Sequence, residues 1–358
     1  MPKLFEPLTL RGLEVKNRIW ISPMCMYSAE GQDGMPGQWQ EIHLGSRAIG
    51  GAGLIIVEAS GVSPEGRITP WCTGIWNDQQ AMAWKKIVEI CHNNGAKVAM
   101  QLAHAGRKAS VHRDSSGVGS VPIGEGGWQS VSSTGVAFGN YAAPRALSSD
   151  EIAQLVKAFA ESAKRSVAAG FDAVEIHGAH GYLIHQFLSP LSNDRADHYG
   201  GSLENRARFL LETIGAIRAA VPDAMPLFLR LSGTDYAEGG WDLEQTAEVS
   251  KWATEAGVDL IDVSSGGLIT GVKIPSGPGY QVPFAEYVAE RINQPVSAVG
   301  QITDAKQAEE ILESGQVDVI LIGRASLRDP YWPLRAAHEL GVEVKWPEQY
   351  ERGKWPRR

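Results

Sequence analysis

Two histidines and a tyrosine lie within six residues of one another in the segment EIHGAHGYLIHQFLSP, residues 175–190. Imidazole can donate hydrogen bonds, exchange protons or bind a metal, and a phenol can act as a general acid. The preceding segment, residues 171–176, is short and apolar, as expected for a β-strand that is buried on both faces. His177, His180 and Tyr182 would then lie at the carboxyl end of a strand, where barrel enzymes place their catalytic groups.

Composition limits the kind of molecule that carries this segment. The chain has 358 residues, 43% hydrophobic and 21% charged, which is enough apolar sequence to bury a large core. A net charge of −8 argues against nucleic acid or an anionic membrane surface as partner, because both favour a basic face. No apolar run is long enough for a membrane span or a signal peptide, so none is expected.

Three cysteines, Cys25, Cys72 and Cys91, are an odd number and form no C-x-x-C pair. They predict neither a disulfide framework nor a zinc site, and a reducing cytoplasm is the expected location.

One theme recurs along the chain: a helical pattern that ends in glycine, a few polar residues, and a short apolar run. Glycine favours the left-handed conformation that ends helices, and the apolar runs match buried parallel strands. Eight such units predict the α/β class and a (β/α)8 TIM barrel, with residues 1–358 as a single domain. The rival is an open doubly wound sheet, but no G-x-G-x-x-G follows the first strand. The predicted strands lie within the segments 18–21, 50–60, 94–106, 171–176, 226–230, 256–266, 295–299 and 314–325, and the third ends at Gln101.

A barrel needs roughly 250 residues, so about 100 remain for additions. Residues 5–18 are expected to form a hairpin that turns at Arg11-Gly12 and plugs the amino end of the barrel. Residues 103–147 are rich in Gly, Ser and Pro and predict a long capping loop after the third strand. Lys108 in this loop is interpreted as a solvated residue.

Gly300, Gly323 and Arg324 follow the predicted seventh and eighth strands. Barrels commonly bind a phosphate at these loops, because glycine lets backbone N–H groups approach the anion. A ligand that carries a phosphate is therefore expected.

Several motifs together resemble the Old Yellow Enzyme family of FMN-dependent ene-reductases: SPMCMY after the first strand, a lone glutamine ending the third, H-x-x-H-x-Y followed by FLSPLSN and YGGSLENR, and GR after the eighth. The likeness covers nearly the whole chain. Cys25, together with Tyr27, is similar to the cysteine-containing bacterial subclass that includes the xenobiotic reductases. The resemblance implies that FMN is bound by Ser22, Pro23, Met24, Cys25, Ala59, Gln101, Arg230, Gly300, Gly323 and Arg324.

The resemblance also implies the chemistry. NADPH or NADH would reduce FMN, and the flavin N5 would pass a hydride to an enone, maleimide or nitro compound. His177 and His180 would bind the substrate oxygen, Tyr182 would donate the proton, Cys25 would tune the flavin potential, and Tyr27 would line the substrate side. Such donors aimed at a developing oxyanion lower the barrier electrostatically.

The subclass also implies a homodimer or homotetramer. Its C-terminal segment, here about residues 341–358, would reach an interface and place Arg352 in the neighbour's site.

Two alternatives belong to other functional classes. A flavin-free barrel could use His177 and His180 for metal-assisted hydrolysis or lyase chemistry, although only a reoriented His185 could add a third ligand. The second alternative is a non-catalytic flavin-binding protein. The presence of Tyr182 disfavours it.

Overall fold

The computed structural model describes residues 1–114 and 116–356, and Arg357 and Arg358 lie outside this part. The strands are β1 Leu8–Leu10, β2 Leu13–Val15, β3 Ile19–Ile21, β4 Leu54–Ile56, β5 Ser60–Gly61, β6 Lys97–Ala103, β7 Val131–Ser132, β8 Arg145–Ala146, β9 Ala173–Gly178, β10 Leu227–Ser232, β11 Leu260–Ser264, β12 Val296–Ala298 and β13 Val319–Ile322.

The helices alternate with the longer strands. They are α1 Gln38–Ile49, α2 Asp78–Asn93, α3 Ser149–Ala168, α4 Leu183–Leu188, α5 Leu203–Ala220, α6 Leu243–Glu255, α7 Val282–Ala289, α8 Ala305–Glu313, α9 Arg324–Arg328 and α10 Trp332–Glu339. Short 3-10 turns cover Lys3–Phe5, Pro64–Gly66, Gly106–Lys108, Ile123–Glu125, Pro190–Ser192 and Glu348–Gly353.

Within the described residues, eight parallel strands close into a barrel in the order β3, β4, β6, β9, β10, β11, β12, β13, and β13 pairs with β3 again. The predicted (β/α)8 barrel is confirmed, and the open doubly wound sheet is wrong. Glycines with left-handed φ follow α1, α2, α3, α6 and α8, as the sequence pattern predicted: Gly51, Gly95, Gly170, Gly257 and Gly315.

The amino end of the barrel is closed by the predicted hairpin of β1 and β2, which turns at Arg11-Gly12. Its side chains Leu10, Leu13 and Val15 pack in one buried cluster with residues from the barrel strands. Because side chains alternate along a strand, every second residue of these strands points inward. The inward residues at this end are apolar: Trp20, Leu54, Ile56, Ala99, Ala173, Phe228, Leu260, Val319 and Leu321.

The carboxyl end of the barrel is covered by the long segment after β6. It holds two 3-10 turns and the short parallel pair β7–β8. Side chains tie it to the loops after the barrel strands: Arg107 donates to the carbonyl of Leu268 at 2.8 Å, and Ser133 donates to that of Ser192 at 2.6 Å. The predicted capping loop is thus an ordered wall of the barrel opening.

None of the helices in the described part of the chain combines the length and the apolar character that a bilayer span requires.

Candidate active site

The turn after β9 brings the histidines and the tyrosine together. His177 is on β9, beside Arg230 of β10 in the strand register. His180 and Gly181 both have left-handed φ, of 59° and 70°, and the chain then enters α4, with Tyr182 as its N-cap residue. A Cβ on Gly181 would lie 2.3 Å from the carbonyl oxygen of Gly267, so only glycine fits here. A non-glycine residue with positive φ is uncommon and often marks a functional site.

Three rings meet at this turn. The ring centroid of His177 is 5.2 Å from that of His180 and 5.1 Å from that of Tyr182, in edge-to-face contact. Nε2 of His180 is 2.7 Å from the Ser264 hydroxyl, which fixes the ring. Nδ1 of His177 is buried and has no hydrogen-bond partner in the described residues.

The protonation of these rings follows from their surroundings. Burial and the charge of Arg230 hold the pKa values of His177 and His180 well below the ordinary value. Burial, followed by the nearby Cys25, raises the pKa of Tyr182 well above its usual range. At neutral pH the site therefore holds two uncharged imidazoles and a protonated phenol.

Cys25 and Tyr27 form a wall beside Tyr182. All three are half-buried and pack against one cluster with Ile68 and Cys72. Burial is the main cause that raises the pKa of the Cys25 thiol, so the thiol stays protonated. A protonated thiol is a poor nucleophile, so covalent catalysis by Cys25 is disfavoured.

Buried polar side chains adjoin the histidines inside the barrel. Gln101 donates to Glu175 at 2.7 Å, and Nε of Arg230 lies 2.9 Å from Asp262. Arg230 also donates to the Ser22 hydroxyl at 3.3 Å, which links these side chains to the loop after β3. Burial and the charge of Asp262 raise the pKa of Glu175 to about 8.

A cavity of about 380 Å³ runs from Arg230 to the loops after β12 and β13. Gly300, Gly323 and Arg324 line it, as expected for a phosphate site, and so does Arg328. In the described part of the chain, no carboxylate pairs with Arg324 or Arg328, so both guanidinium groups can bind an anion. Arg230 at the other end can face a planar polar ring. This donor set fits an elongated phosphate ester such as FMN.

A second cavity of about 380 Å³ lies under the C-terminal segment and is lined by residues such as His338, Trp346 and Trp355. None of its lining residues belongs to a barrel strand. Arg352 is exposed on the 3-10 turn Glu348–Gly353 and lines neither cavity.

His185 does not join a metal site. It is fully buried on α4, 3.0 Å from Asp235, and its Nδ1 accepts from the Gly181 N–H. Within residues 1–114 and 116–356, no three His, Cys, Asp or Glu side chains are grouped as metal ligands. The metal-assisted alternative therefore receives no support.

Residues 3–343 match the model of the NADH:flavin oxidoreductase / NADH oxidase family. The chain belongs to this family. It is 47% identical over 350 residues to a NADPH dehydrogenase of Geobacillus thermodenitrificans (strain NG80-2), an alignment that covers 98% of both chains.

Two solved structures extend the likeness. Morphinone reductase in complex with tetrahydroNAD has a TM-score of 0.78 at 30% identity, over 99% of this chain and 96% of that one. An old yellow enzyme homologue from Zymomonas mobilis has a TM-score of 0.80 at 28% identity, and the match covers 99% of this chain and 100% of that one. The resemblance to Old Yellow Enzymes is thus confirmed. The chain is a flavin oxidoreductase whose cofactors are FMN and a reduced nicotinamide nucleotide.

Except for Arg352, the residues predicted from the sequence lie in the last half of a barrel strand or in the segment that follows it. Three residues were missed: Glu175, Asp262 and Arg328. Glu175 and Asp262 are acidic residues within apolar strands. They lie two residues before His177 and Ser264, so the alternation of side chains along a strand predicts that they also face the barrel interior. The interpretation of Lys108 as a solvated loop residue is wrong, because its ammonium donates to two backbone carbonyls of the site.

Proposed function

We propose that this enzyme reduces activated carbon–carbon double bonds of α,β-unsaturated carbonyl or nitro compounds, with electrons from NADPH or NADH. The observation that carries the proposal is the meeting of His177, His180 and Tyr182 at the barrel opening, next to Arg230 and the cavity that fits FMN. Bound FMN, when reduced, supplies the hydride for the β-carbon of the substrate.

Ser22, Pro23, Met24, Cys25, Ala59, Gln101 and Arg230 would surround the flavin ring. Gly300, Gly323 and Arg324 would hold the phosphate, and Arg328 would assist. Arg230 supplies the positive charge that an electron-rich ring favours, and its buried pairing with Asp262 fixes its direction. Cys25, an uncharged thiol in contact with the ring, would adjust its potential.

The two imidazoles would hold the substrate oxygen. Negative charge builds on this oxygen as the β-carbon accepts hydride, and preorganised donors stabilise such charge most where water is excluded. Nδ1 of His177 has no hydrogen-bond partner among the residues that the structure describes. Nε2 of His180 is 2.7 Å from the Ser264 hydroxyl, which holds this ring in place beside His177.

Tyr182 would deliver the proton to the α-carbon. The pKa of its phenol is raised, so the proton is present at neutral pH. Tyr27 lies in the same cluster and would form the wall against which the substrate packs.

NADPH would use the same opening as the substrate, in alternation. The chain has no G-x-G-x-x-G after its first strand, so a nicotinamide that only stacks on the flavin suits it better than a separate dinucleotide site. The relative named NADPH dehydrogenase supports NADPH as reductant.

The whole chain would act as one FMN-binding unit, located in the cytoplasm. It would assemble into homodimers or homotetramers through about residues 341–358. Arg352 is exposed on one subunit and is free to reach a neighbour's substrate. Nucleic acid and membranes are not expected as partners.

Tyr182→Phe tests this assignment. Flavin reduction by NADPH under anaerobic conditions should proceed at the wild-type rate, because Tyr182 takes no part in it. Reoxidation of the reduced enzyme by 2-cyclohexenone should slow by about 10²- to 10⁴-fold, the usual contribution of a general acid. Stopped-flow absorbance of the flavin measures both steps. Equal rates of enone reduction in the two proteins would exclude Tyr182 as the proton donor.

A further inference from the structure

Lys108 lies beside the proposed catalytic residues but has no role in the reaction described above. It ends the 3-10 turn Gly106–Lys108 after β6, and its side chain reaches the segments that follow β9 and β11. Its Nζ donates to the carbonyl of His180 and to that of Gly267, both at 2.9 Å. One ammonium thus joins the turn after β9 to the loop after β11.

The same ammonium lies over an aromatic face. Nζ is 4.8 Å from the ring centroid of Tyr182 and 4.6 Å from that of Phe138. In the described residues no carboxylate pairs with Lys108, so its positive charge is directed at carbonyl dipoles and π-systems. A cation in this position stabilises the ring more strongly when the phenol carries negative charge.

Proton transfer from Tyr182 is favoured by a positive charge near its phenol. Its burial raises the pKa of the phenol, which retains the proton but opposes its release. As the phenolic proton moves to the α-carbon, the electron pair of the O–H bond stays on the oxygen, and solvent later returns a proton. A nearby cation offsets the cost of this transient phenolate.

We propose that Lys108 is a positioning residue for protonation of the substrate: it fixes the turn that carries His180 and Tyr182 and holds a positive charge against the phenol as the proton leaves. The inference rests on the proposed function, because it concerns the enone half-reaction.

Other titratable groups near Lys108 define the pH dependence. Arg107 adjoins it, and His177, His180 and Tyr182 face it from the turn after β9. Arg107 is held by the carbonyls of Leu268 and Val136, and both histidines stay uncharged. Burial, followed by the charge of Arg107, lowers the pKa of Lys108 to about 8. Lys108 is therefore the group whose charge is lost as the pH rises through that value.

The test compares two variants. Lys108→Met removes the positive charge, and Lys108→Arg retains a positive charge above the pH at which Lys108 loses its proton. Lys16→Met is the control, since it removes one positive charge between β2 and β3 at the amino end of the barrel. Each holoenzyme is reduced by NADPH and mixed with 2-cyclohexenone across pH 6 to 10.

All four proteins should be reduced by NADPH at similar rates. Reoxidation by the enone should slow by about 10- to 100-fold in Lys108→Met, less than the roughly 10²- to 10³-fold typical for loss of a direct oxyanion donor. The wild-type rate should fall above about pH 8, Lys108→Arg should move this fall to higher pH, and Lys108→Met should not show it. A purely structural role would not shift the pH profile.

Hydrogen exchange gives a readout that does not require turnover. Amides of residues 178–183 should exchange faster in Lys108→Met than in the wild type, and those in Lys16→Met should not change. A Lys108→Met enzyme with unchanged exchange, rate and pH profile would overturn the proposal. A wild-type enzyme that accepts electrons from NADPH but reacts with no enone would instead refute the proposed function, while hydrogen exchange would still decide the positioning role.

Discussion

Two buried carboxyl groups on barrel strands, Glu175 and Asp262, lie near the guanidinium of Arg230. Arg230 contacts one of them, Asp262. Oε2 of Glu175 has no hydrogen-bond partner in the described residues. A buried carboxylate without a partner is costly, so the carboxyl keeps its proton instead.

Glu175→Gln tests this protonation. The pKa of Glu175 is raised to about 8 in the folded state, above the value near 4.5 in the unfolded chain. The folded protein therefore holds an extra proton between these values, and its stability is fully present below the unfolded pKa and declines as the pH rises toward 8. Glutamine has no proton to lose, so the variant should gain stability relative to the wild type, by at most about 1.4 kcal/mol per pH unit.

Urea unfolding of the apoprotein at pH 5, 7 and 9 measures this difference. Glu14→Gln, on the exposed face of β2, is the control and should show no such trend. A stability difference between Glu175→Gln and wild type that is the same at all three pH values would mean that Glu175 is ionised in the fold.

Residues of the site differ in how far the sequence reveals them. His177, His180 and Tyr182 lie within one short motif, and their grouping depends only on the local turn. Lys108 meets them across 72 positions of sequence, through a loop whose path depends on tertiary packing. Arg328 likewise lines the cavity because the fold brings the loops after β12 and β13 together, and the sequence does not show this proximity.

Backbone geometry constrains the turn after β9. Gly181 has a φ of 70°, and a Cβ there would meet the carbonyl of Gly267 at 2.3 Å. The turn and the loop after β11 are thus in backbone contact. The glycines that end the helices were predicted from the repeating pattern, whereas this close approach between two loops had no signal in the sequence.

Gly181→Ala should therefore displace Tyr182 and slow enone reduction. Gly215→Ala is the matched control: Gly215 lies within α5, and an added Cβ there would have no neighbour within 4 Å. We expect the control to raise the free energy of unfolding by about 0.5–1 kcal/mol, the difference in helix propensity between the two residues. Thermal unfolding and steady-state rates with 2-cyclohexenone measure both effects; full activity in Gly181→Ala would show that the turn tolerates a side chain.

At the scale of the whole molecule, the barrel was predictable because eight repeats of one local pattern leave few ways to pair the strands. The oligomeric assembly is harder to predict from sequence than the barrel, because it depends on the shape of exposed surfaces. Arg352 is exposed and lines neither of the two large cavities in the described residues, so its proposed role requires a second copy of the chain.

Complementation tests that role. Arg352→Ala should raise KM for the enone by about 10- to 100-fold, as expected for loss of a hydrogen bond to a charged group. Co-expression with Tyr182→Phe should restore one complete site in each mixed dimer, where Tyr182 from one subunit meets Arg352 from the other. An unchanged KM for Arg352→Ala in a confirmed dimer would remove Arg352 from the site.

In the proposed reaction, electrons from the flavin go to an activated double bond. The most direct measurement is to reduce the holoenzyme with one equivalent of NADPH in the absence of oxygen, add 2-cyclohexenone, and follow the flavin absorbance together with the product. We expect the oxidised flavin spectrum to return with formation of one equivalent of cyclohexanone. A reduced flavin that persists with every enone and nitro compound tested, yet is oxidised by dioxygen, would contradict the account and indicate an NADPH oxidase instead.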